Sequence, residues 1–241
     1  MIVTSTNEGW EVIHQQAHGL LAVQAAMQWK TDQRPCHWVE TLIALTEHDD
    51  GQDAWEGRNH LTDAGAPLDF KILEYSVEQC HKLLAIALEK SRWNALLLSM
   101  HTTFLYEEKR GQDPALDQFL DQQYGNQEKW RKQYKATKKD AQYAYDFLQW
   151  CDALSLILVQ GHLPPEERRL EISAGPDGTR HQIFQRNDGT LGVDPWPFEP
   201  ASFAVHIEVH KLSQLSFRDD QELYNALQDA KLELRTWEFR K

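Results

Sequence analysis

Six histidines and aspartates lie in or next to apolar segments of this sequence, where an imidazole or a carboxylate is costly to bury. Residues three and four positions apart share one face of a helix, and on that spacing most of the six share a face with leucine. Asp152 is the clearest example, because FLQWCDALSLILV places one carboxylate in the middle of an apolar segment. Such a carboxylate must be protonated, paired or bound to a metal. The six residues are His18, His48, Asp49, His81, His101 and Asp152.

These residue types point to metal chemistry. Imidazole and carboxylate groups together form the ligand set for a divalent ion such as Mn, Fe, Zn or Mg. Each residue alone has a simpler interpretation, since a lone histidine on an apolar face is usually a hydrogen-bonded core residue and a lone buried aspartate often caps a helix or pairs with arginine. Their recurrence on the inward faces of five predicted helices favours a shared site. The sequence therefore predicts a centre of one or two divalent ions between helices.

The elements that must position these residues follow from hydrophobic periodicity. Short strands are predicted at 2–4 and 10–13, joined by an Asn-Glu-Gly turn. Pro164 and Pro165 end the helical part, and hairpin turns follow at 175–178 and 187–189. Strict alternation then predicts strands around 203–210 and 232–236. Helices are predicted at 15–30, 36–48, 74–90, 92–108, 114–124, 126–150 and 146–160, and the last two are alternatively one long kinked helix.

This order of elements predicts one domain over 1–241. A helical core at about 15–162 would form a mainly α bundle. The strands of 1–14 and the tail of 163–241 would form a small antiparallel sheet packed on it, because an isolated hairpin is marginally stable. The six candidate ligands would then face one another across the helices.

The order His18, His48-Asp49 and Asp152 resembles the HD superfamily of helical metal-dependent phosphohydrolases. His81 and His101, lying between the HD pair and the last aspartate, resemble the branch of that superfamily that holds two metals. The layout also resembles a bacterial family of unknown function with a QxxH helix start, EHDxG, LLxSxH and CDxLSL. In this sequence those motifs end at His18, Gly51, His101 and Leu156. The resemblance implies an HD-like fold, with Asp49 bridging the ions if there are two.

The resulting functional hypothesis is a metal-dependent hydrolase, foremost a phosphohydrolase of a small phosphate ester or nucleotide. A metal-activated water would attack the ester, Asp49 and Asp50 are the predicted catalytic carboxylates, and Asp50 or Glu47 could accept from the outer imidazole nitrogens. Two alternatives stay open. One is a di-iron oxygenase of the HD type, and the other is a non-catalytic, metal-stabilised binding protein.

Composition limits the partners. The formal net charge of −12 argues against nucleic-acid and anionic-membrane binding and leaves a small anionic substrate as the expected partner. The longest apolar run, 154–159, is too short to span a bilayer. Three widely spaced cysteines and a start without a signal-peptide pattern favour a cytoplasmic protein. The sequence makes no prediction about the oligomeric state.

Three further groups of residues have weaker support as sites. His14 and His18 have the spacing of a helical metal pair, but His14 is predicted to belong to a strand. His206, Glu208 and His210 share one face of a strand whose other face is apolar, so they are predicted to be the solvated side. The basic cluster between Lys129 and Lys139 is predicted to be a solvated helix face, with the alternative that it steers an anionic substrate.

Overall fold

A computed structural model describes residues 1–51, 53–73 and 76–241. The chain forms seven strands and seven α-helices within these ranges, with short 3-10 turns between some of them. The helices are α1 Gln15–Ala26, α2 Trp38–Glu47, α3 Val77–Lys90, α4 Arg92–Tyr106, α5 Pro114–Gln133, α6 Lys138–Val159 and α7 Asp220–Gln228. The strands are β1 Ile2–Thr6, β2 Gly9–Ile13, β3 Leu170–Ala174, β4 Arg180–Gln185, β5 Leu191–Asp194, β6 Ser202–Leu212 and β7 Lys231–Arg240.

Side-chain caps fix where most of the helices begin. Ser76 and Ser91 accept from the backbone N–H groups of Gln79 and Asn94 at the starts of α3 and α4. Thr137 and Asp140 form a reciprocal capping box at the start of α6. The helices predicted at 126–150 and 146–160 are therefore wrong in their boundaries, because α5 continues to Gln133 and a new helix begins after Thr137. The predicted helix at 74–90 begins in part on residues 74 and 75, which lie outside the described residues.

All seven strands join one mixed sheet in the order β1-β2-β6-β7-β5-β4-β3. β2 pairs antiparallel with β6, so the N-terminal strands do pair with the tail, as predicted. β6 and β7 pair antiparallel along their whole length, from Ser202 opposite Arg240 to Lys211 opposite Lys231. β5 is the exception, because it runs parallel to β7. The turns predicted at 175–178 and 187–189 connect β3 to β4 and β4 to β5.

The predicted fold class, a mainly α bundle with a small antiparallel sheet, is wrong. The chain is 47% helical and 21% strand, and the strands form a curled, mixed, seven-stranded sheet. The helical pattern is visible locally, whereas the size of a sheet depends on pairings between distant segments such as β2 with β6. A short helix, α7, also lies within the tail that was predicted to be strand and turn.

The helices pack on the sheet in a defined order. α1 contacts β6 and α6 contacts β3, so these two helices lie against the sheet. α2 packs on α1 and α6, α4 packs on α2 and α6, and α3 and α5 pack on α4. The core fills the space between these layers and includes Trp29, Trp93 and Trp150, each at most 2% exposed. Four of the helices, α1, α2, α4 and α6, therefore meet around one interior region, and five of the six candidate ligands lie there.

Candidate metal centre

Four elements place five of the six candidate ligands in one cluster. α1 carries His18, α2 ends at Glu47 with His48 and Asp49 immediately following, α4 carries His101 and α6 carries Asp152. α1 and α2 cross closely at Gly19, and this crossing supports the arrangement. A Cβ added to Gly19 would lie 2.5 Å from the carbonyl oxygen of Thr46. The absence of a side chain at Gly19 therefore lets His18 and His48 approach each other.

The distances among His18, His48 and Asp152 match the spacing of ligands around one ion. Nε2 of His18 lies 3.0 Å from Nε2 of His48. Oδ1 of Asp152 lies 3.1 Å from Nε2 of His48 and 3.3 Å from Nε2 of His18. Oδ2 of Asp49 lies 3.5 Å from Nε2 of His18 and 4.0 Å from Nε2 of His48. Ligands about 2.1 Å from a shared metal ion lie about 3.0–3.5 Å apart when the angle between them is about 90–110°.

Backbone carbonyls determine which imidazole nitrogens face this cluster. Nδ1 of His48 donates to the carbonyl of Leu45 at 2.8 Å. Nδ1 of His18 is likewise in contact with the carbonyl of Gln15. Because a carbonyl only accepts, both Nδ1 atoms carry the proton, and each neutral ring directs its Nε2 lone pair inward. The two nitrogen lone pairs therefore lie next to the carboxylate of Asp152, with that of Asp49 close to both. Only a cation or an added proton makes that arrangement favourable.

Burial strengthens the electrostatic interactions between these groups. His18 and His48 are 1% and 3% exposed. Burial opposes charge on His48, but the carboxylates of Asp152 and Asp49 outweigh it and raise the pKa of His48 to about 10. Burial likewise opposes ionisation of Asp152, and the neighbouring His48 and His18 nevertheless hold its pKa well below its ordinary value. Without a metal, a proton on His48 therefore provides the positive charge that the cluster needs.

His101 lies at the edge of the cluster, with its ring 5.2 Å from that of His48. Burial, together with the charge on His48, lowers the pKa of His101 to about 4, so its imidazole is neutral. Its Nδ1 is buried without a hydrogen-bond partner among the described residues. His101, His48 and Asp49 form a second group whose ligand atoms lie within 4.8 Å of one another. Both groups contain His48, which has only Nε2 available and can bind one ion at a time.

The structure does not bring His81 and Asp50 into the cluster. His81 is exposed on α3, and its ring packs edge-on against Phe119. Asp50 is half-buried and belongs to neither of the two ligand groups found among the described residues. Glu47 accepts from Asn94 and pairs with Lys90. The outer imidazole nitrogens, for which Asp50 or Glu47 was the expected partner, contact backbone carbonyls instead.

The weaker candidates also lie outside the cluster. The ring of His14 packs against those of Trp55 and His210. His206 and Glu208 are exposed on β6, as predicted for the solvated side of that strand, whereas His210 is half-buried with its Nδ1 3.2 Å from the carbonyl oxygen of Leu227. In the basic cluster, Lys132 pairs with Glu128 at 2.7 Å. No residue between Lys129 and Lys139 is among the described residues that line the cavity beside the metal cluster.

This cavity has a volume of about 190 Å³ and is bordered by His48, Asp49 and His101. Thr102 and Gln15 add polar groups to its wall, and Gln15 donates to Oδ2 of Asp49 at 2.7 Å. No lysine or arginine side chain is among the described lining residues. Much of the remaining wall is apolar, namely Leu68, Phe70, Leu73, Leu83 and Leu105. The cavity is thus acidic at the cluster, and the described wall beyond it combines this apolar part with polar residues such as Asn59, His60 and Gln79.

A third histidine on the cavity wall, His60, was missed by the sequence analysis. Its Nδ1 lies 2.9 Å from Oδ2 of Asp220, and its backbone N–H donates to Oδ1 of the same carboxylate at 3.0 Å. Asp220 is fully buried, and the ring of Trp55 stacks on that of His60. His60 lies in an irregular segment without periodicity, and its partner is 160 residues away. No local sequence signal could have connected them.

Comparison with known proteins gives one match. The family model described as "Protein of unknown function (DUF3891)" matches residues 1–214. No curated protein and no solved structure matches the chain. Within the described ranges, none of the helices combines the length and apolar character that a membrane span requires.

The resemblance to the HD superfamily is a wrong prediction. The matching family is a different one, and the comparisons give no evidence for an HD domain. The large curled sheet is also not part of the helical bundle that the resemblance implied. The order of histidines and aspartates along the chain was the basis of that resemblance, and a short ligand order recurs on unrelated folds.

Proposed function

The chain belongs to the DUF3891 family of unknown function, and we propose from its site that it is a metal-dependent hydrolase. The observation that carries this proposal is the convergence of His18, His48, Asp49 and Asp152 at distances of 3.0–4.0 Å, next to a cavity. The two imidazoles are held with Nε2 inward by the carbonyls of Gln15 and Leu45, as ligating histidines usually are.

The residues support a single tightly held ion. His18, His48, Asp49 and Asp152 supply two nitrogen and two oxygen ligands, a set that suits Mn, Fe or Zn. His48 cannot serve a second ion at the same time, because its Nδ1 is bonded to Leu45. His101, neutral and with an unpartnered Nδ1, is then available to a coordinated water or a substrate oxygen. A divalent ion bound here would lower the pKa of a coordinated water and polarise the bond to be cleaved.

Within this proposal, the cavity lining favours a small monoester of phosphate with an apolar leaving group as the substrate. The described lining has no lysine or arginine side chain, so a bound ion and the N-terminal amine of Met1, which interacts with Asp49, are the positive charges available to a single phosphoryl group. Further phosphates, as in nucleoside triphosphates, would meet the carboxylate of Asp53, which is not among the proposed metal ligands. The volume of about 190 Å³ is below the range of about 300–1,000 Å³ that is typical of larger ligands. The apolar wall would contact the alcohol part of the ester.

Metal analysis of the purified chain tests this proposal. We expect about one Mn, Fe or Zn per chain, and we expect Asp152→Ala to lose it. Asp146→Ala is the matched control, since Asp146 lies on the same helix but bonds to Gln142 at 2.7 Å. The metal-loaded wild type should hydrolyse phenyl phosphate and para-nitrophenyl phosphate, and Asp152→Ala should not.

The alternatives give different results in the same experiment. Two irons per chain with a mixed-valence signal would favour the oxygenase. A chain that binds none of these metals, or an Asp152→Ala variant that binds metal as the wild type does, would contradict the proposed centre. A metal-loaded chain that hydrolyses neither ester would contradict the phosphohydrolase and favour a metal-stabilised binding protein.

A further inference from the structure

His60 and Asp220 form a buried pair on the wall of the cavity that also contains the metal cluster. We propose that His60 protonates the leaving oxygen of the substrate and that Asp220 is the positioning residue of His60. This inference rests on the proposed function. The metal ligands do not include either residue, so the pair is a separate functional unit.

The geometry fixes the imidazole of His60 from three directions. Oδ2 of Asp220 accepts from Nδ1 at 2.9 Å, and Oδ1 of the same carboxylate accepts from the backbone N–H of His60 at 3.0 Å. The ring of Trp55 is stacked on the imidazole, with centroids 4.0 Å apart and planes 8° apart. The ring can therefore neither flip nor tilt without breaking one of these contacts. Such restraint is needed for proton transfer to a defined atom.

The remaining nitrogen of His60 is the one available to a substrate. No described residue forms a hydrogen bond with Nε2, and His60 is among the residues that line the cavity. The other two histidines on this wall, His48 and His101, lie in the metal cluster. His60 is therefore the one imidazole in the described lining that is free of that cluster. A buried aspartate on Nδ1 also stabilises an imidazolium, the form that can donate from Nε2.

Asp220 is held for this role by its own surroundings. It is fully buried at the start of α7, where its backbone N–H donates to the carbonyl of Gly57. The carbonyl of His60 accepts from the backbone N–H of Leu68, which anchors the same segment on the other side. The segment carrying His60 is thus tied to α7, and the carboxylate and the imidazole are positioned together.

In this proposal, His60 donates a proton during hydrolysis of the phosphate ester. The oxygen of a water molecule forms a bond to phosphorus while the bond from phosphorus to the leaving oxygen breaks. The leaving oxygen takes the proton from Nε2 of His60 and departs as a neutral alcohol or phenol. The attacking water loses a proton to solvent, the imidazole regains one from solvent, and the products are the alcohol and inorganic phosphate.

Two esters with different leaving groups test this role, using the metal-loaded full chain and the variants His60→Gln and Asp220→Asn. Phenoxide is a strong base that needs a proton to leave, whereas para-nitrophenoxide leaves readily as an anion. For phenyl phosphate we expect kcat to fall about 100-fold in His60→Gln, in line with general acid catalysis. For para-nitrophenyl phosphate the fall should be less than about fivefold. Metal content should be unchanged, and added imidazole should restore activity to His60→Ala.

The control variant is His206→Gln, which changes an exposed histidine on β6 and should leave both rates unchanged. If His60→Gln lowers both rates equally together with thermal stability, His60 has a structural role and the proposal fails. If wild type and His60→Gln hydrolyse phenyl phosphate equally, the proposal fails while the proposed hydrolase stands. If the metal-loaded wild type hydrolyses neither ester, the proposed function fails and the role of His60 fails with it.

Discussion

Because His48 is protonated when the cluster holds no metal, the free energy of unfolding of the metal-free chain should depend on pH. In the folded chain Asp152 and Asp49 overcome the effect of burial and raise the pKa of His48 to about 10, against 6.5 for an exposed histidine. A raised pKa means that the folded state binds the proton more tightly than the unfolded state does. The stabilisation is therefore fully present below pH 6.5 and is lost as the pH rises toward 10.

The difference between these pKa values sets the magnitude. One unit of pKa corresponds to about 1.4 kcal/mol, so the whole effect is on the order of 5 kcal/mol. Between pH 6.5 and pH 9 the free energy of unfolding should fall by about 3 kcal/mol. The lowered pKa of Asp152 reflects the same attraction to His48 and is not counted again.

Urea unfolding in the presence of EDTA measures this effect, with fluorescence of the nine tryptophans as the signal. Asp152→Leu is the comparison variant, because it removes the carboxylate and fills its place with apolar atoms. The stability of this variant should fall less between pH 6.5 and pH 9, since Asp152, the larger of the two carboxylate influences that raise the pKa of His48, is gone and only that of Asp49 remains. Other titrating groups are common to both proteins and cancel in the difference. A wild-type stability that stays level or rises relative to Asp152→Leu over this window would refute a proton shared by His48 and Asp152.

Two substitutions test how the fold assembles the centre. His81→Ala should leave the number of metal ions per chain unchanged in elemental analysis, because His81 is exposed and packs on Phe119. Loss of one ion in this variant would place His81 among the ligands. Gly19→Ala should cost about 1–3 kcal/mol in urea unfolding and weaken metal binding, because its Cβ would meet the carbonyl of Thr46 at 2.5 Å and force α1 from α2. Gly125→Ala on α5 meets no atom within 4 Å and should instead stabilise the chain by about 1 kcal/mol. Equal metal affinity in Gly19→Ala and wild type would show that this close crossing does not set the ligand spacing.

Local sequence patterns identified several ligand candidates because those patterns describe one helix at a time. His18 and His101 lie on buried faces of α1 and α4, where periodicity placed them. The same reasoning was misleading on α3. There the buried face consists of Cys80, Leu83, Leu84 and Ala87. The predicted stripe of Val77, His81, Leu84 and Leu88 shares only Leu84 with that face, and Leu88 is 43% exposed. The periodicity of a short amphipathic helix defines its buried face only to within about one residue position. An error of that size is enough to place His81 in the interior although it lies outside.

Helix boundaries show a similar division. The start of α6 was present in the sequence as Thr137 followed by Asp140, but apolar periodicity runs through this region and hides the break. The turns before and after β4 were readable because glycine and asparagine favour the conformations that tight turns need. The mixed sheet was not readable, since the parallel pairing of β5 with β7 joins Leu191 to Phe239.

By itself, the sequence determined which side chains could bind a metal and which faces of α1, α4 and α6 would carry them. It also determined the hairpin turns and the alternation along β6, because these features depend on neighbours within a few residues. Only the tertiary structure decided that His18, His48 and Asp152 meet, with Asp49 beside both imidazoles. It also decided that His60 meets Asp220 across 160 residues. Such meetings depend on how helices cross and strands pair, which the whole chain settles together through the burial of its apolar surface.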